Sequence, residues 1–189
     1  IIQGTCKNWR LDNCKFTNLG ESNIRISGET CGLADHCTFY ANVNYGTWCG
    51  FYLGNDPDAS WSKPLSLGTS MAVYIEDCYF NYVAAGNNYV AVHGLDGARI
   101  VFRHNRLDMC VEMWPTTTNG SRGTVSYELY DNVFGDGSHG AVWPVMLKGG
   151  TGVVFNNTFV SGTYGFTSLL FSDYRSCFAT YCLYVPGTG

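Results

Sequence analysis

Apolar and polar residues alternate in short bursts along this chain, and the bursts recur. Six segments, RLDNCKF, LADHCTF, YIEDCYF, VFRHNRL, ELYDNVF and VVFNNTF, superpose so that each ends in a large apolar anchor: Phe16, Phe39, Phe80, Leu107, Phe134 and Phe159. Five positions before each anchor stand Leu11, Ala34, Ile75, Phe102, Leu129 and Val154, while the next position is mostly polar or amphipathic. That period of two predicts a strand with one face turned inward. A second alternating stretch precedes most anchors, at 23–27, 89–93, 111–114, 145–148 and 168–172. It places Ile24/Ile26, Val90/Val92, Val111/Met113 and Val145/Leu147 inside. Arg25, Ala91, Glu112 and Met146 then point out, as do Ser27, His93, Trp114 and Lys148 one step on.

The anchors are 23, 41, 27, 27 and 25 residues apart. A repeat of this length means stacked units, each too small to bury its own apolar face. Helical patterns of ten or more residues are absent and glycine is abundant at 23. The expected architecture is all-β, a parallel β-solenoid of six to seven coils with two or three short strands per coil, forming one domain over 1–189. The position two before the anchor reads Cys14, Cys37, Cys78, Asn105, Asn132 and Asn157. A buried asparagine can bond to the same amide in adjacent coils and to turn backbone, so a column of them stays satisfied. Cysteine fills the same place as a small hydrophobe.

These repeats and the N-x-F turns resemble the pectate lyase-like group of right-handed parallel β-helix proteins, over about residues 5–160. The resemblance implies the fold. It leaves the activity open, since the group includes lyases, glycosidases, phage tailspikes and surface adhesins. The arginine–proline motif of the pectate lyases is missing, as are the paired aspartates and RIK-type motif of the polygalacturonase-like enzymes. VHG at 92–94 is only a short echo of the latter's histidine–glycine element.

Charge narrows the partners. With 11 basic and 15 acidic residues, a net charge of −4, the chain has no electrostatic footprint for nucleic acid. No run of 18 apolar residues marks a membrane span. Nine cysteines with few lysines fit an extracellular product, or one at a cell or virion surface. Cys14, Cys37 and Cys78 read as interior thiols, although a Cys14–Cys37 bridge would be within range. Cys31 with Cys49 and Cys177 with Cys182 are candidate loop staples. Asn119 and Asn156 head N-x-S/T sequons, the second beside the interior column. The chain begins at Ile1 with a coil under way and ends in VPGTG, which reads as a mature product or a piece of a longer chain. Its uncapped ends would then be open to self-association.

The interval from Phe39 to Phe80 carries an insertion at about 43–68, rich in aromatics: Tyr45, Trp48, Phe51, Tyr52 and Trp61, with Asp56 and Asp58. Aromatic faces beside carboxylates suit sugar rings, so Trp48, Tyr52 and Trp61 are candidate substrate-binding residues; the other reading folds them down onto the wall of the solenoid. The outward group His93, Glu112, Trp114 and Lys148 is the best candidate site. A sugar could stack on Trp114, with Lys148 or His93 as base and Glu112 as acid or cation ligand. An ordinary solvated face with one exposed tryptophan is the alternative. A further column, Asn13, His36, Asp77, His104, Asp131 and Asn156, sets Asp77, His104 and Asp131 in a row that could hold a cation or serve as an acid–base pair. Asx and His at such places also suit turn geometry alone. No C-x-x-C or Cys/His spacing suggests a zinc site, and the sequence leaves the cofactor open. The expected function is a secreted polysaccharide-binding or polysaccharide-degrading β-helix. Its alternative is a non-catalytic structural or adhesive β-helix such as a fibre, phage spike or surface adhesin.

Overall fold

The computed structural model describes residues 1–17, 24–41, 48–54, 61–82, 90–114, 123–135, 144–160 and 169–171, and they form a parallel β-helix. Each coil supplies one strand to each of three sheets. The first coil holds β1 (Ile2–Gly4), β2 (Lys7–Asp12) and β3 (Lys15–Thr17), and the second β4 (Ile24–Gly28), β5 (Cys31–Asp35) and β6 (Thr38–Ala41). The third is β7 (Trp48–Gly54), β8 (Val73–Glu76) and β9 (Tyr79–Tyr82), and the fourth β10 (Val90–Leu95), β11 (Arg99–Arg103) and β12 (Arg106–Leu107). The fifth is β13 (Cys110–Met113), β14 (Ser126–Tyr130) and β15 (Val133–Phe134). The sixth is β16 (Val145–Leu147), β17 (Thr151–Phe155) and β18 (Thr158–Phe159), after which β19 (Leu169–Phe171) rejoins the first sheet. Equivalent strands of successive coils pair in parallel, giving sheets of seven, six and six strands.

The anchors run as one register column through the third sheet: Phe16, Phe39, Phe80, Leu107, Phe134 and Phe159. The Phe39 ring stacks on Phe16 at 4.8 Å and on Phe80 at 4.7 Å, close to the inter-strand spacing of a sheet. The four central anchors are fully buried, and Phe16 and Phe159 pack against the same core at its ends. Coil stacking is thus also ring stacking. In the first two coils the indole of Trp9 takes the interior space opposite Gly32, where a Cβ would lie 2.4 Å from the ring.

Beside the anchors runs the asparagine column. Asn105 Nδ2 and backbone N both donate to Asn132 Oδ1 (3.1 and 3.0 Å), and Asn132 repeats both bonds to Asn157 Oδ1 (2.9 and 3.1 Å). Each amide also donates to the carbonyl three residues before its counterpart in the preceding coil: Asn105 to Ile75, Asn132 to Phe102 and Asn157 to Leu129. The cysteines keep that rule. Cys78 Sγ donates to Ala34 O at 3.8 Å and Cys37 Sγ to Leu11 O at 3.7 Å. Burial pushes the thiols of Cys37 and Cys78 up in pKa, so they stay protonated donors. Cys14, Cys31 and Cys37 are free thiols, so no Cys14–Cys37 bridge forms and Cys31 is not stapled to Cys49. Cys177 and Cys182 lie outside the described residues.

One position before this column the main chain turns. Asn13, His36, Asp77, His104, Asp131 and Asn156 all have positive φ, between 51° and 56°. Short polar side chains tolerate the left-handed region that β-branched residues avoid, which accounts for all six choices.

Two expectations change in the first sheet. The insertion at 43–68 is not a loop throughout, because Trp48–Gly54 is β7, a regular strand between β4 and β10. Phe51 and Leu53 point into the core and are buried. The extra length of the third coil therefore lies between β7 and β8. Of that connection, residues 61–72 run across the outside of the second sheet. Lys63 pairs with Glu29, its carbonyl and that of Pro64 accept from Arg99, Ser126 Oγ donates to Leu65 O, and Gly68 N donates to Glu128 Oε1. The second change is a register shift between Val90 and Val92. It turns Ala91 into the core, and leaves Val90 in a small separate cluster with Cys110 and Met146. The outward column accordingly contains Arg25, His93, Glu112 and Met146, rather than Ala91.

Candidate functional site

His93, Glu112, Trp114 and Lys148 do come together on the first sheet. His93 in β10 stands opposite Glu112 in β13. Trp114 follows β13 and Lys148 follows β16, held by backbone bonds from Trp114 N to Gly94 O and from Lys148 N to Met113 O. The Lys148 ammonium bonds Glu112 Oε1 and lies 4.6 Å from the centroid of the Trp114 ring. From the coil on the other side, the His93 ring stacks on Trp114 at 5.3 Å. Trp114 is therefore flanked by an imidazole from the fourth coil and a cation from the sixth.

Two members of the cluster are buried, while Trp114 and Lys148 are half-buried. His93 and Glu112 are only 3% and 5% exposed, although both point out from the solenoid wall. Burial, and then the Lys148 charge, push the His93 imidazole down to about 3, so it is neutral at physiological pH. Burying Glu112 requires a partner for its charge, and Lys148 supplies one. The solvated-face reading fails for His93 and Glu112, since neither meets solvent.

The aromatic residues of the insertion do not join this group as a described unit. Trp48 and Tyr52 hold strand positions in β7, opposite Val90 and His93, and their side chains lie outside the description. Tyr45, Asp56 and Asp58 lie outside the described residues altogether. Trp61 folds onto the wall, its Nε1 donating to Gly123 O at 3.0 Å.

The row Asp77, His104 and Asp131 is accounted for by its turn conformation. Among the described residues the trio that brings ligand atoms within 4.8 Å of one another is instead Asp12, Asp35 and His36. Arg10 already occupies it, donating to both carboxylate oxygens of Asp35 at 3.3 and 2.7 Å. Burial works against the Asp35 charge, but the bonds from Arg10 and His36 outweigh it and hold the carboxyl below its ordinary value. Nearby, Glu76 and Arg103 form the expected ion pair, with the guanidinium over the Tyr74 ring.

Sequence reasoning missed a cleft of about 170 Å³ on the second sheet, roofed by the 61–72 segment. Lys7, Lys63 and Arg99 line it, with Glu29, Thr30 and Met71. Its cations come from three different coils, with no motif linking them. The one signal was the length of the connection after β7. Comparison with protein-family models, with curated proteins and with solved structures finds no match to this chain.

Proposed function

We propose that this protein is a polysaccharide-binding parallel β-helix, at the cell or virion surface or in the extracellular medium, in which the His93–Glu112–Trp114–Lys148 cluster is not catalytic. The observation that carries the second half is the burial of His93 and Glu112 within the cluster, with Lys148 bonded to Glu112. A general base works best with a pKa near the working pH, and an imidazole at about 3 accepts a proton poorly. Glu112 and Lys148 are bonded to each other. Trp114 is contacted from both adjoining coils. The cluster acts as a polar weld between the fourth, fifth and sixth coils. The polysaccharide ligand follows from the resemblance to the pectate lyase-like group.

Affinity electrophoresis against neutral and acidic polysaccharides, with parallel assays for reducing ends and unsaturated products, tests both halves. At least one polysaccharide retards the protein, and no product accumulates. Product formation that disappears in Glu112→Gln would restore the catalytic reading. Retardation by no polysaccharide would leave a structural or adhesive rod.

A further inference from the structure

The cleft under the 61–72 segment gathers positive charge in a chain that is negative overall. Its lining holds three cationic side chains, Lys7, Lys63 and Arg99, against the single carboxylate of Glu29, while the whole chain carries −4. Glu29 is already bound by Lys63. Lys7 Nζ bonds the Glu29 carbonyl and stands 3.7 Å from Cys31 Sγ, so its partners here carry no full negative charge. Arg99 is only 6% exposed, and its Nη2 donates to two main-chain carbonyls of the roof, Lys63 at 3.2 Å and Pro64 at 2.9 Å. Burying a guanidinium is costly unless it is well bonded.

A second observation points to a missing ligand. Thr30 is 1% exposed, lines the cleft, and its Oγ1 has no hydrogen-bond partner in the described structure. A buried hydroxyl without a partner is costly, and proteins rarely leave one without a reason. A hydroxyl donor beside convergent cations is the donor set that recognises an oxyanion.

We propose that this cleft is a binding site for a single oxyanion of the carboxylate, sulfate or phosphate type. Lys7, Lys63 and Arg99 provide the charge and Thr30 the directed hydrogen bond. Met71 and Pro64 give the site an apolar wall, which would suit an anion carried on a sugar ring. The inference stands independently of the polysaccharide reading.

Isothermal titration calorimetry on the full chain tests it with four probes: inorganic sulfate, inorganic phosphate, a uronic acid disaccharide and a neutral disaccharide. Two variants accompany the parent. Thr30→Val removes the hydroxyl at nearly constant shape, and because that hydroxyl has no partner the variant should unfold at or above the parent's midpoint. Lys63→Met removes a cation from the exposed rim. At least one anionic probe should bind, more weakly as salt is raised. Its affinity should fall about tenfold in Thr30→Val, the loss of one hydrogen bond to a charged group, and at least as much in Lys63→Met. Binding of the uronate would identify an acidic glycan as the source of the anion, and binding of inorganic anions alone a free ion. Silence of all three anions, equal binding of the neutral disaccharide, or indifference to both variants would overturn the proposal. Sulfate binding with no retention by any polysaccharide would uphold the cleft and remove the glycan reading. Polysaccharide retention unchanged in both variants, with silent inorganic anions, would do the reverse.

Discussion

Asn132 offers the sharpest test of how the coils are held together. Its side chain accepts from Asn105 N and Nδ2 and donates to Phe102 O and Asn157 Oδ1. Leucine fills a similar volume and makes none of these bonds. Two of the groups keep a partner, since Asn105 Nδ2 still reaches Ile75 O and Asn157 Oδ1 still accepts from the backbone N of residue 132. The Asn105 N–H loses the acceptor it has here, at a site 1% exposed. An orphaned buried donor costs about 1–3 kcal/mol and a lost amide–carbonyl bond about 1 more, while the added apolar burial returns about 1. Asn132→Leu should therefore destabilise by about 2 kcal/mol. Asn132→Cys should cost less, about 1 kcal/mol, because a thiol there can donate to Phe102 O as Cys78 does to Ala34 O. Equilibrium urea unfolding followed by tryptophan fluorescence reads both, with unchanged m-values showing that only stability moved. A Leu variant with the parent's midpoint, or a Cys variant less stable than the Leu variant, would refute the ladder as a source of stability.

His93 gives a pH signature. Its folded pKa of about 3 lies below the ordinary value, so the unfolded chain binds the extra proton first. Stability is then full above about pH 6.5 and falls as the solution is acidified toward the folded pKa, by about 1.4 kcal/mol per pH unit. Urea midpoints between pH 7 and 5 should show that slope, and His93→Phe should flatten it. Lys148→Met strands the buried Glu112 charge and should cost about 3–5 kcal/mol, whereas Glu112→Leu combined with Lys148→Met should recover most of it; thermal unfolding of the three variants decides whether the pair is a weld. At the left-handed turn, Asp131→Val should lose about 1–2 kcal/mol and Asp131→Gly much less, as denaturant midpoints would show.

The parts of the fold that repeat were legible, because repetition supplies its own controls. Six anchors and six turn residues each gave the same reading, and a wrong alignment would have broken the Cys/Asn column at once. What broke the pattern was hidden. Trp48–Gly54 looked like part of a loop because its aromatics are dense and its coil is long, yet Phe51 and Leu53 alternate inward like any strand. The bulge at Ala91 shifts register by one residue, and simple alternation has no means of sensing it. The candidate cluster was assembled correctly in composition, since stacking alone brings His93, Trp114 and Lys148 near. Its burial was not legible, because exposure depends on what covers a strand and alternation reports only which way a residue points. The cationic cleft draws on residues 7, 30, 63 and 99, which share no periodicity.

A solenoid whose coils touch only their neighbours should melt like a zipper, fraying from either end with little cooperation across its length. The connection after β7 changes that behaviour. It belongs to the third coil but is bonded to Glu29 in the second, Arg99 in the fourth, and Gly123, Ser126 and Glu128 in the fifth. Fraying that enters from the sixth coil must release this clamp as soon as it reaches the fifth, and fraying from the first must do so on reaching the second. The middle of the protein is thereby coupled into a single cooperative block, with shorter and more independent segments outside it. Hydrogen exchange would register this as a plateau of equal opening free energies across the second to fifth coils, falling away at both ends.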